Sequence, residues 1–238
     1  MNLPQQRSSV TATDLTWHSL YLAGAFSSAV FVVLNIAAIV LDFSAPPPVS
    51  GGTATLEFIA SHRLNYILEQ ALWLIPGFFA MIVFVAIYPA LAPVSPSYAA
   101  LGALIGASAW ALTLAIPTTS RGAPALVYLS DQYTATADMV QRTAFATAAE
   151  VLIAQNNTPT IAGVLTPVGM LIIACVMVKG VFPKGIAYLG IATGGLGILC
   201  EMLRFVLPGV YAIYGLLLVL WFITVGRQLY ELSRMKVE

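Results

Sequence analysis

The chain has 238 residues, of which 59% are apolar and 8% charged, and its ten Lys and Arg balance ten Asp and Glu. A water-soluble domain carries roughly 25% charged residues to keep its surface in solution, so a soluble globular class is excluded and lipid is the expected solvent. A formal net charge of zero leaves no basic field for nucleic acid and no charged tail.

A helix needs about 20 apolar residues to cross a hydrocarbon core of about 30 Å, and each peptide group in that core must be bonded within its own segment. The first run that qualifies is Ser19–Leu41. It exceeds the roughly 7–15 residues of a signal-peptide core, and Phe43 spoils a small-residue cleavage site behind it, so it reads as a retained span. Ala45-Pro46-Pro47-Pro48 and Gly51-Gly52 then impose an extended linker. Residues 53–63 place Leu56, Ile59 and Ala60 on one face, as expected of a short helix at the membrane interface.

Span two is predicted over Tyr66–Ala90, with Pro76 and Pro89 as kinks, and Pro93 and Pro96 mark a tight turn. Span three covers Tyr98–Thr119, with Pro117 near its end. In the connection from Ser120 to Asn157, residues 134–155 carry Val140, Ala144, Ala148 and Val151 at helical spacing, and Asp138 and Arg142 form an i,i+4 pair. The expectation is a helix lying on the membrane or half-inserted, since Arg142 and Glu150 weigh against a seventh span. Spans four to six are predicted over Thr160–Val178, Gly185–Phe205 and Gly209–Tyr230. Lys179-Gly180, Pro183 and Pro208-Gly209 separate them, and Pro167 lies within span four. The fold class is therefore all-α: a single integral membrane domain over residues 1–238, a polytopic bundle of six transmembrane helices.

With both termini in the cytoplasm of a cell-membrane protein, Arg7, Lys179, Lys184, Arg227, Arg234 and Lys236 lie inside and Arg63, Arg121, Arg142 and Arg204 outside, the bias of the positive-inside rule. Cys175 and Cys200 fall on different spans, roughly 20 Å apart at the ~1.5 Å rise per helical residue, and are expected to be free. Gly102-x-x-x-Gly106 and Gly190-x-x-x-Gly194 suit close helix approach in lipid. His18 and His62 fall on opposite faces, and no metal or nucleophile motif occurs, so neither cofactor nor catalytic residue is implied. Trp17, Tyr21, Tyr88 and Tyr230 suit an interfacial aromatic belt, whereas Trp73, Trp110 and Trp221 lie deeper, as packing residues. Asn156-Asn157-Thr158 has the form of a glycosylation sequon.

Tyr21-Leu22-Ala23-Gly24 opening the first span, Arg63 placed six residues before Glu69, and Val181-Phe182-Pro183-Lys184-Gly185 leading into a glycine-rich span carry a resemblance. Over nearly the whole chain, the sequence resembles uncharacterised bacterial six-helix membrane proteins, the domain-of-unknown-function family 4386. The resemblance implies six spans and no catalytic residue.

The candidate site rests on predicted depth. Asn35, Arg63, Glu69, Glu201 and Arg204, with His62 nearby, come from three spans and reach similar depth near the outer face, where they could line a pocket; structural ion pairing or ordinary interfacial anchoring is the simpler explanation. Three functions follow. The first is binding or movement of a small molecule or lipid through an outward-facing polar pocket. The second is an intramembrane acid–base enzyme using Glu69 or Glu201. The third is a non-catalytic membrane partner or assembly subunit. The partners expected are membrane lipids and a small-molecule or lipid ligand.

Overall fold

The computed structural model describes residues 17–48, 50–119, 122–204, 206 and 210–235. Arg7, Ser120, Arg121, Phe205, Pro208, Gly209 and Lys236, used above for charge and span boundaries, lie outside these residues. Among the described residues the chain is helical and contains no strand: α1 (His18–Ser44), α2 (Gly52–Ser61), α3 (Arg63–Leu74), α4 (Pro76–Leu91), α5 (Pro96–Ala115), α6 (Ala125–Ala135), α7 (Met139–Asn156), α8 (Ile161–Met177), α9 (Lys184–Met202) and α10 (Val210–Arg234).

Six stretches are long and apolar enough to cross a membrane: His18–Ser44, Arg63–Leu91, Pro96–Ala115, Met139–Met177, Lys184–Met202 and Val210–Arg234. Only 28–44% of the most apolar window in each is buried inside the protein. The rest of these faces, with Phe26, Val33, Leu104, Leu199 and Leu216 turned outward, is an apolar exterior that only lipid can cover.

Chain order is also spatial order. Packing runs α1–α4–α5–α8–α9–α10 and closes back on α1, and α4 also touches α8 and α10. That position explains why α4 is buried on nearly every side, from Gly77 and Ala80 through Phe84 to Leu91. The centre is aromatic: Phe31 stacks on Phe222 with centroids 3.9 Å apart, and Trp110 meets Phe31 edge-on at 5.6 Å. Tyr21, expected in the interfacial belt, is instead buried in this core.

Proline sets the breaks. Pro76 has no N–H to return to the preceding turn, so span two divides into α3 and α4 at Ile75. Span three stops at Ala115, before Pro117 can enter it, because the residue ahead of a proline is driven out of the helical region. Pro89 and Pro167 lie within α4 and α8.

Residues 116–160 hold more order than the sequence suggested. The helix expected over 134–155 is α7, which begins at Met139, and a further helix, α6, precedes it across Thr136–Asp138, where Asp138 accepts the Val140 N–H and caps α7. Arg142 therefore turns away from Asp138, donating to the Thr136 carbonyl at 2.9 Å and covering the Tyr133 ring. Helices α2, α6 and α7 pack together at one end of the bundle as a cap with its own core of Leu56, Ile59, Tyr66, Leu126, Ala149 and Ile153. Ser130 ties α6 to the Leu56 carbonyl at 2.7 Å. Ala60 is exposed rather than sharing the buried face of Leu56 and Ile59. Helix α7 likewise turns Ala149 and Ile153 inward, with Phe145 and Leu152 partly buried beside them, and leaves Val140, Ala144, Ala148 and Val151 exposed. The larger side chains remove more apolar area from water than the alanine stripe would.

The glycine motifs act through contact. Gly102 faces Ile173 of α8, Gly106 faces Phe84 of α4, and Gly190 faces Trp221 and Ala174. Helices α5 and α8 meet backbone to backbone, where a Cβ on Gly169 would stand 2.5 Å from the Gly106 nitrogen and 2.7 Å from its Cα. Backbone cannot rotate aside, so Gly169→Val should destabilise by the upper part of the ~1–3 kcal/mol range for overpacking. Thermal unfolding in detergent measures this. Gly195→Val, whose added atoms meet open space, should leave the midpoint nearly unchanged.

Candidate functional site

The five candidate residues all lie on the cap side of the bundle or within the cap, but they divide among separate settings. Arg63 opens α3 and reaches across to α6, where Nε and Nη2 donate to the two Asp131 carboxylate oxygens at 3.1 and 2.9 Å. Both side chains are about half exposed. The hydrogen bond from Arg63 holds the Asp131 carboxyl below the usual carboxylate range. This pair contributes in full above the unfolded carboxyl value and is lost as pH falls from there through the lowered Asp131 value. It fastens α3 to α6 on the surface and encloses nothing. His62 beside it stacks on Phe58 and contacts Ser61.

Asn35 is buried on α1, where its amide donates to the Phe31 carbonyl one turn back at 2.8 Å.

Glu201 and Arg204 do come together, as their i,i+3 spacing on α9 implied, and their partners are helix ends. Glu201 is fully buried. Its Oε1 accepts the Thr160 N–H at 2.6 Å, just ahead of α8, while the Thr160 hydroxyl accepts the Gly163 N–H at 2.9 Å. The carboxylate fits there because Gly163 has no side chain: a Cβ would collide with it. Arg204 donates to Glu201 at 3.2 Å, to the Asn156 carbonyl at the end of α7 at 2.7 Å, and lies over Tyr211. The anion thus sits at a helix N-terminus and the cation at a helix C-terminus, each matched to the local dipole. Together they bridge the break between α7 and α8. Glu150 repeats the device in the cap, accepting the Gly52 N–H at the start of α2. There Gly51 holds φ 85°, a conformation suited to glycine. Asn156 of the sequon is 5% exposed, which withdraws its side chain from any modifying enzyme.

Glu69 is also buried, one turn along α3 from Tyr66. Helix α3 packs on α1, α2 and α4, whereas α9 packs on α8 and α10, so Glu69 and Glu201 belong to different parts of the bundle. Around α3 the polar groups anchor the chain that leaves α5. The Tyr66 hydroxyl donates to the Ala123 carbonyl and accepts its N–H, at 3.3 and 3.2 Å. Gln70 Oε1 accepts from the Thr119 hydroxyl at 3.0 Å. Gly122, at φ 147°, leaves the space that the Tyr66 hydroxyl fills.

Sequence reasoning missed what lies below this anchor. Gln70, Trp73 and Gly77 recur at i, i+3 and i+7, so they share one face of the α3–α4 helix. That face meets α5: Gly77 lies against Trp110 and Leu114. Gln70 Nε2, Trp73 Nε1 and Trp110 Nε1 are all buried without an acceptor. Helices α3 and α5 therefore carry three buried N–H donors without acceptors, Gln70 and Trp73 on α3 and Trp110 on α5. An amphipathic search finds charged residues and passes over indoles, which read as packing; only the missing acceptors single them out.

Among the described residues no group of His, Cys, Asp and Glu could hold a metal ion, and Cys175 and Cys200 are free thiols.

The profile of the family described as Domain of unknown function (DUF4386) matches residues 18–226. The chain belongs to the DUF4386 family. That span takes in all six apolar stretches up to Gly226 of α10, together with the cap and the Glu201–Arg204 bridge. No curated protein and no solved structure matches it. The chain is a multi-pass membrane protein of an uncharacterised family.

Glu201→Gln should strand Arg204 against the α7–α8 break. Removing one partner of a buried pair costs about 3–5 kcal/mol, and the low end is expected because Arg204 is 16% exposed. Hydrogen exchange should rise first at Thr160–Gly163, ahead of the amides of α4. A uniform rise across all helices would contradict a local role.

Proposed function

We propose that this DUF4386 protein binds a small, lipid-soluble molecule bearing hydrogen-bond acceptors, held at the seam between α3–α4 and α5 beneath the cap. The observation that supports this is the excess of buried donors, Gln70 Nε2, Trp73 Nε1 and Trp110 Nε1. Each buried donor without a partner costs roughly 1–3 kcal/mol, a cost that a ligand oxygen would offset. The polar pocket expected from Asn35, Arg63, Glu69, Glu201 and Arg204 thereby contracts to its α3 portion around Glu69. Arg63, Glu201 and Arg204 serve as fasteners, and Asn35 bonds its own helix. Intramembrane acid–base chemistry draws no support from Glu201, whose carboxylate is already engaged by Thr160 and Arg204.

A fully substituted short-chain ubiquinone, which offers two carbonyl acceptors, is a suitable probe. It should raise the thermal midpoint of the detergent-solubilised protein in a saturable manner. Trp110→Phe and Trp73→Phe keep an aromatic ring, though a smaller one, and remove one donor each, so each should weaken the effect about fivefold, the equivalent of about 1 kcal/mol per hydrogen bond. Absence of saturable binding, or binding by both variants at the wild-type level, would sink the proposal.

A second reading, an assembly subunit, is favoured by α7. Its exposed Val140, Ala144, Ala148 and Val151 form an uncharged face that a partner helix or the bilayer surface could cover.

We also propose that the cap faces outward from the cell membrane and that both termini are cytoplasmic. Away from the cap, Lys179, Lys184, Arg227 and Arg234 outweigh Glu231; on the cap side Arg63, Arg142 and Arg204 are outweighed by Asp42, Glu57, Glu69, Asp131, Asp138, Glu150 and Glu201. Basic residues are retained in the cytoplasm. In a Cys175→Ala background, Val151→Cys should react with a membrane-impermeant maleimide on intact cells and Met235→Cys should not. The opposite labelling pattern reverses the orientation.

A further inference from the structure

At the end of α10 away from the cap, an open groove of about 610 Å³ is lined by Arg227, Tyr230, Glu231, Arg234 and Met235. Arg227 Nε donates to Glu231 Oε1 at 3.0 Å, and the Arg234 guanidinium lies over the Tyr230 ring at 5.6 Å. Two cations and one carboxylate leave the groove positive. Each guanidinium keeps further N–H donors, in a fork that matches phosphate oxygens.

The surface next to the groove indicates the source of the phosphate. Leu216, Leu220, Ile223, Arg227 and Arg234 follow one another along a single stripe of α10, by their spacing of four, three, four and seven residues. Leu216, Leu220 and Ile223 are 62%, 41% and 45% exposed, and the Arg227 side chain is 82% exposed. Arg227 stands about 25 Å along the helix from Val210 at ~1.5 Å per residue, where a hydrocarbon core of about 30 Å gives way to headgroups. The stripe is thus apolar at acyl-chain depth and basic at headgroup depth, with Tyr230 between the two arginines. We propose that this groove binds the phosphate of an anionic phospholipid in the leaflet opposite the cap, with the acyl chains laid along Leu216, Leu220 and Ile223.

The test uses the full-length protein purified in mild detergent, and native mass spectrometry reads lipid retention. Phosphatidylglycerol should be retained well above phosphatidylcholine of the same acyl chains. Arg227→Gln with Arg234→Gln should lower that retention about thirtyfold, each basic residue at an anionic surface giving roughly fivefold. Arg63→Gln, at the opposite end, should leave it unchanged. Equal retention of the two lipids overturns the proposal, as does an Arg227/Arg234 double variant that keeps wild-type retention while its thermal midpoint shows it folded. Inorganic phosphate at millimolar concentration should not displace phosphatidylglycerol; if it does so fully, the groove is a free-phosphate site and the lipid assignment fails.

Discussion

Hydrocarbon offers no partner to a peptide N–H or C=O, and every feature of this chain answers to that fact. The spans are helices because only a helix closes its own hydrogen bonds, and wherever a helix is interrupted, another residue must meet the exposed ends. The break between α7 and α8 shows how strict this is. Thr160 offers an N–H and Asn156 a carbonyl, and Glu201 of α9 and Arg204 just beyond it meet one each. A charged pair in such a place normally marks a site. Here its charges are spent on helix termini, and its desolvation is balanced by the dipoles it faces.

The same economy of charge divides the molecule by function. The carboxylates and guanidinia that attract attention in the sequence turn out to fasten elements: Arg63 to Asp131 across α3 and α6, Glu150 to α2, Glu201 with Arg204 to α7 and α8. Among the described residues, several buried neutral groups, Trp221 included, have no hydrogen-bond partner. Gln70, Trp73 and Trp110 present N–H groups at the seam below the cap, a chemistry suited to an uncharged acceptor that arrives through lipid rather than to an ion. The two ends of the bundle differ as well, with an acidic, capped face at one and a basic, groove-bearing face at the other.

Much of the fold was legible before any coordinates. Ser19–Leu41 and Thr160–Val178 lie within a few residues of α1 and α8, because apolar length is a one-dimensional property that the bilayer reads directly. The glycine spacing on α5 and α9 announced close contacts, since a missing side chain is itself the signal. Prolines announced the breaks, though Pro117 ended a helix rather than bending it.

Less was legible where burial depends on a partner. The stripe Val140, Ala144, Ala148 and Val151 was the regular one, yet α7 buries Ala149 and Ile153, because α2 and α6 supply a surface that no spacing rule contains. Nor could depth along the bilayer reveal that Glu69 and Glu201 stand on helices with different neighbours. The amino-acid sequence by itself determined class, span count and the places where helices stop, all consequences of local chemistry meeting a slab of fixed thickness. Tertiary structure alone decided which helix faces touch, which charges cap which ends, and which donors are left without acceptors. Those depend on distances between residues remote in the chain.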